Sequence, residues 1–574
     1  MSIVRENPSA SPGLGAPGRA RLSRHRRQLR LLRSVVLAGL VAGATGTVSV
    51  YSGRAPRAAA SGSPIKHVVV VMLENHSFDN YFGTFPGANG IPSTACVPNP
   101  ATGQCLAPYH NPLPDGYPHD MPHTNAAVVA DIDKGKMDGF LKQQQNACKC
   151  AATSSLGYYN ASDIPIFWRY AEDYTLQDNL FEQITSWSFP SHVFLLSEWA
   201  ASCTSPTNPM SCTGTPKMGF PGWKTWPAPN TLPWTDMTYL LYTHGVSWGY
   251  YNADGTQPVC ASTGCTMAKA TSQGTHIWWN PLPWFLDVQQ DKQLANISVQ
   301  GAFYSALASD TLPAVSWVIP NNFQSGHPGV STNPGSEEFA VDVINAIESS
   351  PEWDSTAIFL AWDDGGGEYD QVVPPTVDAL GYGMRVPGIL ISAYGKHGYI
   401  DHQTLSFDAY NKFIEDTFLN SQRLDPANDG RPDSRPSVRE NNPLLGDLNQ
   451  EFNFSGPPSP PILFPTVSMP ATVGPATTVT VNGAHFLPGD TVEVQFNCGE
   501  PDCLSGTDVA SATAAADGTF TSAIAVPTGL AAGTYFVSAQ GSNPLEYFGV
   551  THTSLTTRGG AVVPLPPDNQ GPED

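Results

Sequence analysis

The hydrophobic and polar positions of this chain fall into two successive patterns. Between residues 64 and 455, short continuous apolar runs alternate with helix-like stretches. The apolar runs predict four buried strands, at Val68–Leu73, Ala314–Ile319, Ala357–Trp362 and Gly388–Ser392. Helices are predicted at Glu337–Ile347 and Ala409–Phe418. Continuous apolar strands that alternate with helices are typical of an α/β domain, a mostly parallel sheet covered by helices on both faces.

The pattern changes after residue 455. A Pro-rich stretch at 456–464, beginning Gly-Pro-Pro-Ser-Pro-Pro, predicts a stiff linker. The strands predicted after it are short and alternating, at Thr478–Val481, Thr491–Phe496, Thr519–Val526 and Thr534–Ala539. Strands of this spacing over residues 465–551 predict a C-terminal immunoglobulin-like β-sandwich, although the buried Cys–Trp–Cys pattern is missing. Residues 552–574 are predicted to be a flexible tail.

The N-terminus reads as an export signal. A cluster of arginines that includes Arg26 and Arg27 precedes a weakly apolar run, Ser34–Tyr51, and an Ala-rich site at Ala58–Ala60. This layout predicts a secretory signal peptide over residues 1–60, with a loose resemblance to the twin-arginine type. The alternative is an uncleaved membrane anchor, because the apolar run is near spanning length. We therefore expect a secreted, extracellular protein.

Charge and cysteine content narrow the function further. The formal net charge is −22, and residues 1–60 hold ten arginines and one glutamate, so the remainder is more acidic still. Such a body argues against nucleic-acid binding and against charge-driven docking on anionic membranes. The ten cysteines form close pairs, and four of these are expected to be disulfides: Cys96/Cys105, Cys203/Cys212, Cys260/Cys265 and Cys498/Cys503. Cys148 and Cys150 are too close for an easy bridge.

Acidic residues follow two of the predicted strands directly. Val68–Leu73 ends in Glu74-Asn75, and Ala357–Trp362 ends in Asp363-Asp364 followed by three glycines. Ligands of parallel sheets lie beyond the carboxyl ends of the strands, and carboxylate and amide oxygens suit a hard cation. The alternatives are an ordinary capped strand end and a solvated Asp-Gly turn.

A candidate nucleophile lies between these segments. Pro190-Ser191 precedes an apolar helical stretch, so Ser191 is expected near a helix N-terminus, where free amides attract phosphate. Serine after proline is also an ordinary helix start.

The segments Glu74-Asn-His-Ser-Phe-Asp-Asn-Tyr-Phe-Gly83 and Ala361-Trp-Asp-Asp-Gly365 give the chain a family resemblance over residues 64–420. It resembles the bacterial phosphoesterase family that contains the non-specific phospholipases C and secreted acid phosphatases, whose fold is similar to alkaline phosphatases. The resemblance implies one divalent metal ion held by Glu74, Asn75, Asp363, Asp364 and Ser191. Ser191 would also be the nucleophile. His192-Val193 stands where the family often has Asn-Arg, which makes Ser188 the alternative.

The family also uses histidines to hold phosphoryl oxygens and to protonate the leaving group. By resemblance, Met121-Pro-His-Thr supplies His123 rather than His119, and Gly326-His-Pro-Gly supplies His327. His276 is a third candidate, for substrate binding.

Together these features predict a secreted, metal-dependent hydrolase of phosphate esters. The expected activity is that of a phospholipase C on phospholipid diesters. The Trp-rich loops are candidates for transient contact with a membrane surface, and the alternative is that these tryptophans pack in the core or within the loops. One alternative is an acid phosphatase acting on monoesters. An alternative of another class is an inactive secreted protein whose C-terminal domain binds a cell surface or polymer.

Overall fold

The computed structural model describes residues 63–541 except 113–118, 149–152, 222–230, 262–263, 267–273, 332, 470–476, 497–506 and 527–536. The predicted signal peptide and tail lie outside the described residues. Within the described part of the chain, no helix combines the length and apolar character needed to cross a membrane.

An eight-stranded sheet forms the centre of the larger part of the chain. Its strands are β1 (His67–Leu73), β2 (Thr175–Gln177), β3 (Trp248–Asn252), β4 (Ile297–Val299), β5 (Val315–Val318), β6 (Thr356–Trp362), β7 (Gly388–Ser392) and β8 (Tyr399–Asp401). Their spatial order is β4-β3-β5-β1-β6-β7-β2-β8. Strand β7 pairs antiparallel with both of its neighbours, and the other neighbouring pairs are parallel. The predicted mostly parallel sheet is therefore confirmed.

Ten α-helices accompany the sheet in the described residues. They are α1 (Phe78–Phe82), α2 (Asn125–Ile132), α3 (Phe140–Gln143), α4 (Pro165–Asp173), α5 (Ser188–Ser197), α6 (Met237–Thr243), α7 (Leu286–Gln290), α8 (Gln300–Ala308), α9 (Asn333–Glu348) and α10 (Phe407–Phe418). The two predicted helices correspond to α9 and α10, and both begin earlier than predicted. Helix α10 starts early because the Ser406 side chain accepts a hydrogen bond from the Asp408 amide as its N-cap.

Short two-stranded ribbons carry the confirmed disulfides. The ribbons pair Val97–Pro98 with Cys105–Leu106, Tyr109–His110 with Gly157–Tyr158, Leu180–Phe181 with Leu405–Ser406, Ala201–Cys203 with Cys212–Gly214, and Val259–Ala261 with Gly264–Thr266. Disulfides join Cys96 to Cys105, Cys203 to Cys212, and Cys260 to Cys265. The fourth predicted pair, Cys498/Cys503, lies outside the described residues, as do Cys150 and the side chain of Cys148.

The register of β1 and β6 positions the candidate site. These neighbouring parallel strands pair residue by residue up to Leu73 and Trp362. The Asp363 amide then donates to the Leu73 carbonyl at 3.0 Å. Both strands are fully buried and apolar from Val68 to Leu73 and from Ala357 to Trp362, so the next polar side chains follow directly after their carboxyl ends. Glu74 and Asp363, which are far apart in sequence, therefore follow adjacent strands at the same edge of the sheet.

The C-terminal part consists of β-strands around a hydrophobic cluster of its own. The strands are β9 (Thr466–Ser468), β10 (Thr478–Ala484), β11 (Thr491–Phe496), β12 (Thr507–Thr513), β13 (Phe520–Ala525) and β14 (Val537–Gln540). They form two antiparallel three-stranded sheets, β9-β10-β13 and β12-β11-β14. Val481, Val494 and Ile524 are fully buried between them. A β-rich C-terminal region is thus present, whereas the immunoglobulin-like topology stays a prediction.

The predicted Pro-rich linker is attached to the larger part of the chain. The Ser459 amide donates to the Ala393 carbonyl at 2.7 Å, and Trp353 Nε1 donates to the Ser459 carbonyl at 2.9 Å. Further along, the Phe464 ring packs against Tyr170 with 4.8 Å between centroids. These contacts hold the segment against the first domain at Ser459 and Phe464.

Candidate active site

A sharp turn after β1 brings its first polar residues into contact with those after β6. Asn75 has φ 56°, a left-handed conformation that asparagine tolerates better than most residues. Its amide donates to Asp363 Oδ1 at 3.0 Å. On the β6 side, a Cβ added at Gly366 would lie 2.3 Å from the Asn75 carbonyl oxygen. The glycine run after Asp364 is therefore required by the close approach of two backbones.

Three carboxylates meet in this turn, and we refer to Glu74, Asp363 and Asp364 as the carboxylate site. Each is at most 1% exposed. Among the described residues no lysine or arginine forms an ion pair with any of them. Burial, followed by the charge of Asp363, raises the pKa of both Glu74 and Asp364 well above the usual range. Three uncompensated buried carboxylates call for a proton or a bound cation.

The Asn75 side-chain amide lies between two histidines on one side and the carboxylates on the other. Its amide lies 3.1 Å from His123 Nε2 and 3.3 Å from His327 Nε2. The Nδ1 atoms of both rings face backbone carbonyls, of Met121 at 2.6 Å and of Pro328 at 2.8 Å, so their protons lie on Nδ1. Burial, helped by neighbouring His123, lowers the pKa of His327 to about 4, so its Nε2 accepts at neutral pH. Asn75 therefore turns Nδ2 towards the histidines.

That orientation points the Asn75 amide oxygen at other oxygens. Exchange of Oδ1 and Nδ2 would let the amide nitrogen donate to the carboxylates. It would also place the amide oxygen, an acceptor, opposite the unprotonated Nε2 of neutral His327. In the orientation that suits His327, Oδ1 lies 3.1 Å from Asp363 Oδ1 and 3.2 Å from Glu74 Oε2. Oxygens this close repel unless a proton or a cation separates them. A divalent cation satisfies all of them at once, so the residues present fit the predicted metal ion.

The two candidate nucleophiles of α5 are placed differently. Ser188 is the first residue of the helix, and its hydroxyl lies 3.2 Å from Asp364 Oδ2 and 3.3 Å from Asn75 Oδ1. Ser191, one turn later, donates to the Asp363 backbone carbonyl at 2.7 Å. Its hydroxyl is also 3.2 Å from Gln183 Nε2. The structure therefore directs Ser188, the alternative, at the carboxylate site and turns the Ser191 hydroxyl towards the backbone, away from the role that the resemblance implies.

The predicted histidines lie on the opposite side of Asn75 from the carboxylates. The His123 and His327 rings have centroids 6.3 Å apart, and both are buried. His276 is half-buried and is the N-cap of the short helix Ile277–Trp279. Its ring centroid lies 5.6 Å from that of Trp279, with the rings tilted by 50°, and the Trp279 ring in turn lies 6.2 Å from the His327 ring. His119, the rejected alternative to His123, is exposed.

Sequence reasoning missed two side chains near this site. His192 is fully buried, and its Nε2 lies 2.8 Å from Glu74 Oε1. Burial lowers its pKa to about 4, so the ring is neutral. Glu182 is also buried, and burial followed by the charge of Asp364 raises its pKa. Glu182 directly follows the apolar ribbon strand Leu180–Phe181, so the strand-then-acid pattern recurs there, although the strand is too short to be noticed.

Glu74, His192 and Asp363 form a group that could hold a metal ion. Each of the three offers one ligand atom, and these atoms all lie within 4.8 Å of one another. All three side chains are buried.

Comparisons with known proteins identify the family of this chain. The family model of the phosphoesterase family matches residues 65–419. The chain belongs to this family. The matched region ends after α10 and includes every residue of the candidate site, whereas the C-terminal β-strands lie beyond it.

Curated relatives of the chain are bacterial and plant phospholipases C. The non-hemolytic phospholipase C of Pseudomonas aeruginosa is 26% identical over 451 residues, covering 69% of this chain and 58% of that protein. Phospholipase C A of Mycobacterium tuberculosis is 25% identical, covering 69% of this chain and 78% of that protein. Non-specific phospholipase C6 of Arabidopsis thaliana is 22% identical, covering 59% and 63%. The chain thus spans less than two thirds of the Pseudomonas protein.

Proposed function

We propose that this phosphoesterase is a phospholipase C-type hydrolase that uses Ser188 as its nucleophile. The observation that carries the proposal is the position of the Ser188 hydroxyl at the N-terminus of α5, 3.2 Å from Asp364 Oδ2. The free amides and dipole of this ten-residue helix favour an incoming phosphate group at the same place. The two atoms near this hydroxyl, Asp364 Oδ2 and Asn75 Oδ1, are both acceptors, and the single hydroxyl proton serves them. The lone pairs of Oγ therefore stay available for attack.

The metal ion is proposed to be held by Glu74, Asn75, Asp363 and Asp364, with Ser188 in place of Ser191 as the hydroxyl nearest to it. A divalent cation bound there would lower the pKa of the serine hydroxyl and neutralise phosphoryl oxygens. The fold expected for such a centre is the alkaline-phosphatase-like one, and the mostly parallel sheet with acids beyond β1 and β6 supports it.

Ser188 Oγ attacks phosphorus in line with the leaving oxygen. The bond from Oγ to phosphorus forms as the ester bond to the leaving alkoxide breaks, giving a phosphoserine diester. A water molecule then attacks phosphorus from the side that the alkoxide left, opposite Ser188 Oγ. The bond from Oγ to phosphorus breaks, the serine hydroxyl is reprotonated by the proton that water loses, and the phosphorylated product is released. Burial of Ser188, which is 4% exposed, keeps bulk water from the first step.

His123 and His327 are assigned to charge stabilisation and to protonation of the leaving group. The backbone carbonyls of Met121 and Pro328 fix each ring with Nδ1 protonated, so each Nε2 carries the lone pair that faces the Asn75 amide and can take up a proton. The negative charge of an arriving phosphoryl group favours the imidazolium form of both rings. Asp364 Oδ2, which lies 3.2 Å from Ser188 Oγ, takes the proton of that hydroxyl. One imidazolium ring gives a proton to the leaving alkoxide as general acid.

The substrate class is inferred to be a phospholipid diester. The relatives named above are phospholipases C. Partly exposed aromatic rings lie next to the nucleophile: Trp187 precedes Ser188, and its ring centroid is 5.8 Å from that of Trp278. The Phe220 ring meets Trp278 at 4.3 Å. Such a half-buried aromatic surface suits the apolar part of a lipid and transient contact with a membrane surface.

The proposal is tested with chromogenic substrates. A phosphocholine diester and a phosphate monoester are offered to the wild type, to Ser188→Ala and to Ser191→Ala, with and without chelator. We expect diester hydrolysis that chelator abolishes and that Ser188→Ala lowers by roughly 10³-fold or more. Ser191→Ala is the matched control on the same helix and should keep most of the activity.

Other outcomes reassign the function. Monoester cleavage alone would make the protein an acid phosphatase. Activity lost in Ser191→Ala and kept in Ser188→Ala would return the nucleophile to Ser191. No hydrolysis of either ester after divalent metals are added back would favour the surface-binding protein.

We infer that the protein works outside the cytoplasm. The three disulfides among the described residues and the Arg-rich N-terminal sequence support export. N-terminal sequencing of the protein from culture medium should show cleavage near Ala60, and an intact N-terminus in the membrane fraction would instead indicate an anchor. Binding of the C-terminal β-domain to a cell surface or polymer stays a prediction.

A further inference from the structure

Glu74 and Asp363 each present their two oxygen atoms to different neighbours. Glu74 Oε2 and Asp363 Oδ1 face the Asn75 amide, at 3.2 and 3.1 Å. On the other side, Glu74 Oε1 lies 2.8 Å from His192 Nε2, and Asp363 Oδ2 lies 3.8 Å from the same nitrogen. The pair of carboxylates therefore separates an Asn75 face from a His192 face.

The His192 face contains a carboxylate oxygen that the protein does not satisfy. Asp363 Oδ2 has no hydrogen-bond partner among the described residues. Asp363 and His192 are each 1% exposed. A buried carboxylate oxygen without a donor is costly, and the 3.8 Å to His192 Nε2 is too long for a hydrogen bond.

We propose that Glu74 Oε1, Asp363 Oδ2 and His192 Nε2 form a second metal position, on the His192 face of the carboxylates. The proposal rests on the proposed function in that both metal positions share Glu74 and Asp363. The three ligand atoms lie within 4.8 Å of one another, so one ion between them contacts all three. The His192 ring then carries its proton on Nδ1 and turns the Nε2 lone pair towards the ion.

The ligand types select the class of metal. One imidazole nitrogen and two carboxylate oxygens are the set that Zn²⁺ and similar transition ions take, with a further position left open. Calcium and magnesium prefer all-oxygen sites, which the Asn75 face offers. The two faces thus differ in metal preference, and the nitrogen of His192 is the cause.

A simpler role for His192 is that of a positioning residue. In that case Nε2–H donates to Glu74 Oε1 and orients it, and Asp363 Oδ2 stays unpaired. The two roles differ in the number of transition-metal ions that the folded protein binds, which can be measured without any substrate.

The test is the zinc stoichiometry of the full-length protein. Metal-free wild type, His192→Gln and His67→Gln are titrated with Zn²⁺ by calorimetry, and their metal content is measured by mass spectrometry after desalting. Glutamine retains a hydrogen-bond donor for Glu74 but is a poor metal ligand. His67 lies at the opposite end of β1, where its Nδ1 faces the Pro313 carbonyl at 3.0 Å, and is the matched control.

We expect His192→Gln to bind one Zn²⁺ ion fewer than the wild type, and His67→Gln to bind as many as the wild type. Equal zinc counts in the wild type and His192→Gln would overturn the proposal. If His192→Gln fails to fold, as judged by circular dichroism, His192→Asn replaces it and the same difference decides. Ser188→Ala should keep the zinc count of the wild type while losing activity, so failure of the nucleophile assignment and failure of the second metal position give different results.

Discussion

Two buried acidic clusters of this protein come from the same two chain segments, yet they are neutralised differently. The carboxylate site lies immediately after β1 and β6. A few residues further along both segments, Asp79 and Asp370 form a second cluster around Arg385. The side chains of all three are fully buried.

Arg385 satisfies the second cluster from within the chain. Its Nη2 lies 3.0 Å from Asp79 Oδ1, and its Nε lies 2.9 Å from Asp370 Oδ1. Its Nη1 donates to the carbonyls of Asn89 and Asp178, both at 2.8 Å. The carboxylate site has no such internal cation among the described residues. The difference indicates that a permanent arginine serves the fold, whereas an uncompensated cluster leaves room for an exchangeable metal ion.

The largest expected effect comes from removing a charge of the carboxylate site. Asp364→Asn should lower hydrolysis by roughly 10³-fold or more, about 4 kcal/mol of transition-state stabilisation, because Ser188 loses its carboxylate partner and the metal ion a ligand. The thermal midpoint of the metal-free protein should stay the same or rise, since one buried charge is gone. Assays of turnover and calorimetry measure the two. A large fall in the metal-free midpoint would make Asp364 a structural residue instead.

Removing Arg385, the internal cation of the second cluster, should lower the stability of the fold. Arg385→Met leaves Asp79 and Asp370 buried without a partner, which we expect to cost about 3–5 kcal/mol of unfolding free energy. Denaturant titration measures it, with Arg431→Met as control because Arg431 is half-buried and its bond to Gln290 is exposed. That control should cost less than about 1 kcal/mol. Equal losses of unfolding free energy in Arg385→Met and Arg431→Met would contradict the structural role of Arg385.

Metal removal should affect only one of the clusters. Chelator should lower the unfolding free energy of the wild type by about 2–3 kcal/mol, the value for metal at 100 times its dissociation constant. Asp364→Asn should respond much less to chelator, because its metal affinity is already reduced. Thermal unfolding with and without chelator is the measurement, and an equal response in both proteins would place the bound metal elsewhere.

A third buried carboxyl, Glu337, is neutralised by a proton and gives the smallest effect. Its Oε1 accepts from the Ile166 and Phe167 amides at the start of α4, at 2.7 and 3.1 Å. Burial, against these two hydrogen bonds, raises the pKa of Glu337 to about 8. The folded state therefore keeps this proton up to about pH 8, while the unfolded chain loses it near the usual pKa of glutamate.

The stability that this proton provides is present at low pH and is lost as the pH rises through that window. Relative to Glu337→Gln, the wild type should lose on the order of 1 kcal/mol or more between pH 5 and 8. Denaturant titrations at both pH values check the sign, and a wild type that gains stability over this range would contradict it.

Local sequence signals predicted four of the eight strands of the central sheet and the acidic residues that follow two of them, whereas β2, β3, β4 and β8 were not predicted. Continuous apolar runs predicted β1 and β6 within one residue, because a strand buried on both faces needs no alternation. The Ala- and Ser-rich β12 (Thr507–Thr513) was not predicted, since its pattern of apolar positions is weak. The Ig-like topology and the substrate cannot be tested by patterns of this kind.

By itself, the sequence determined that Glu74 and Asp363 follow buried strands and that cysteines close in sequence pair. It also determined that a helix with a serine near its start lies in the chain between these two strands. Only the tertiary structure decided which serine of α5 faces the carboxylates, and that His192 does so too. Ser188 and Ser191 are one helical turn apart, so their spacing cannot separate them. Their roles depend on how the first turn of α5 packs against the Asp363-Asp364 segment. That contact joins positions more than 170 residues apart in the sequence.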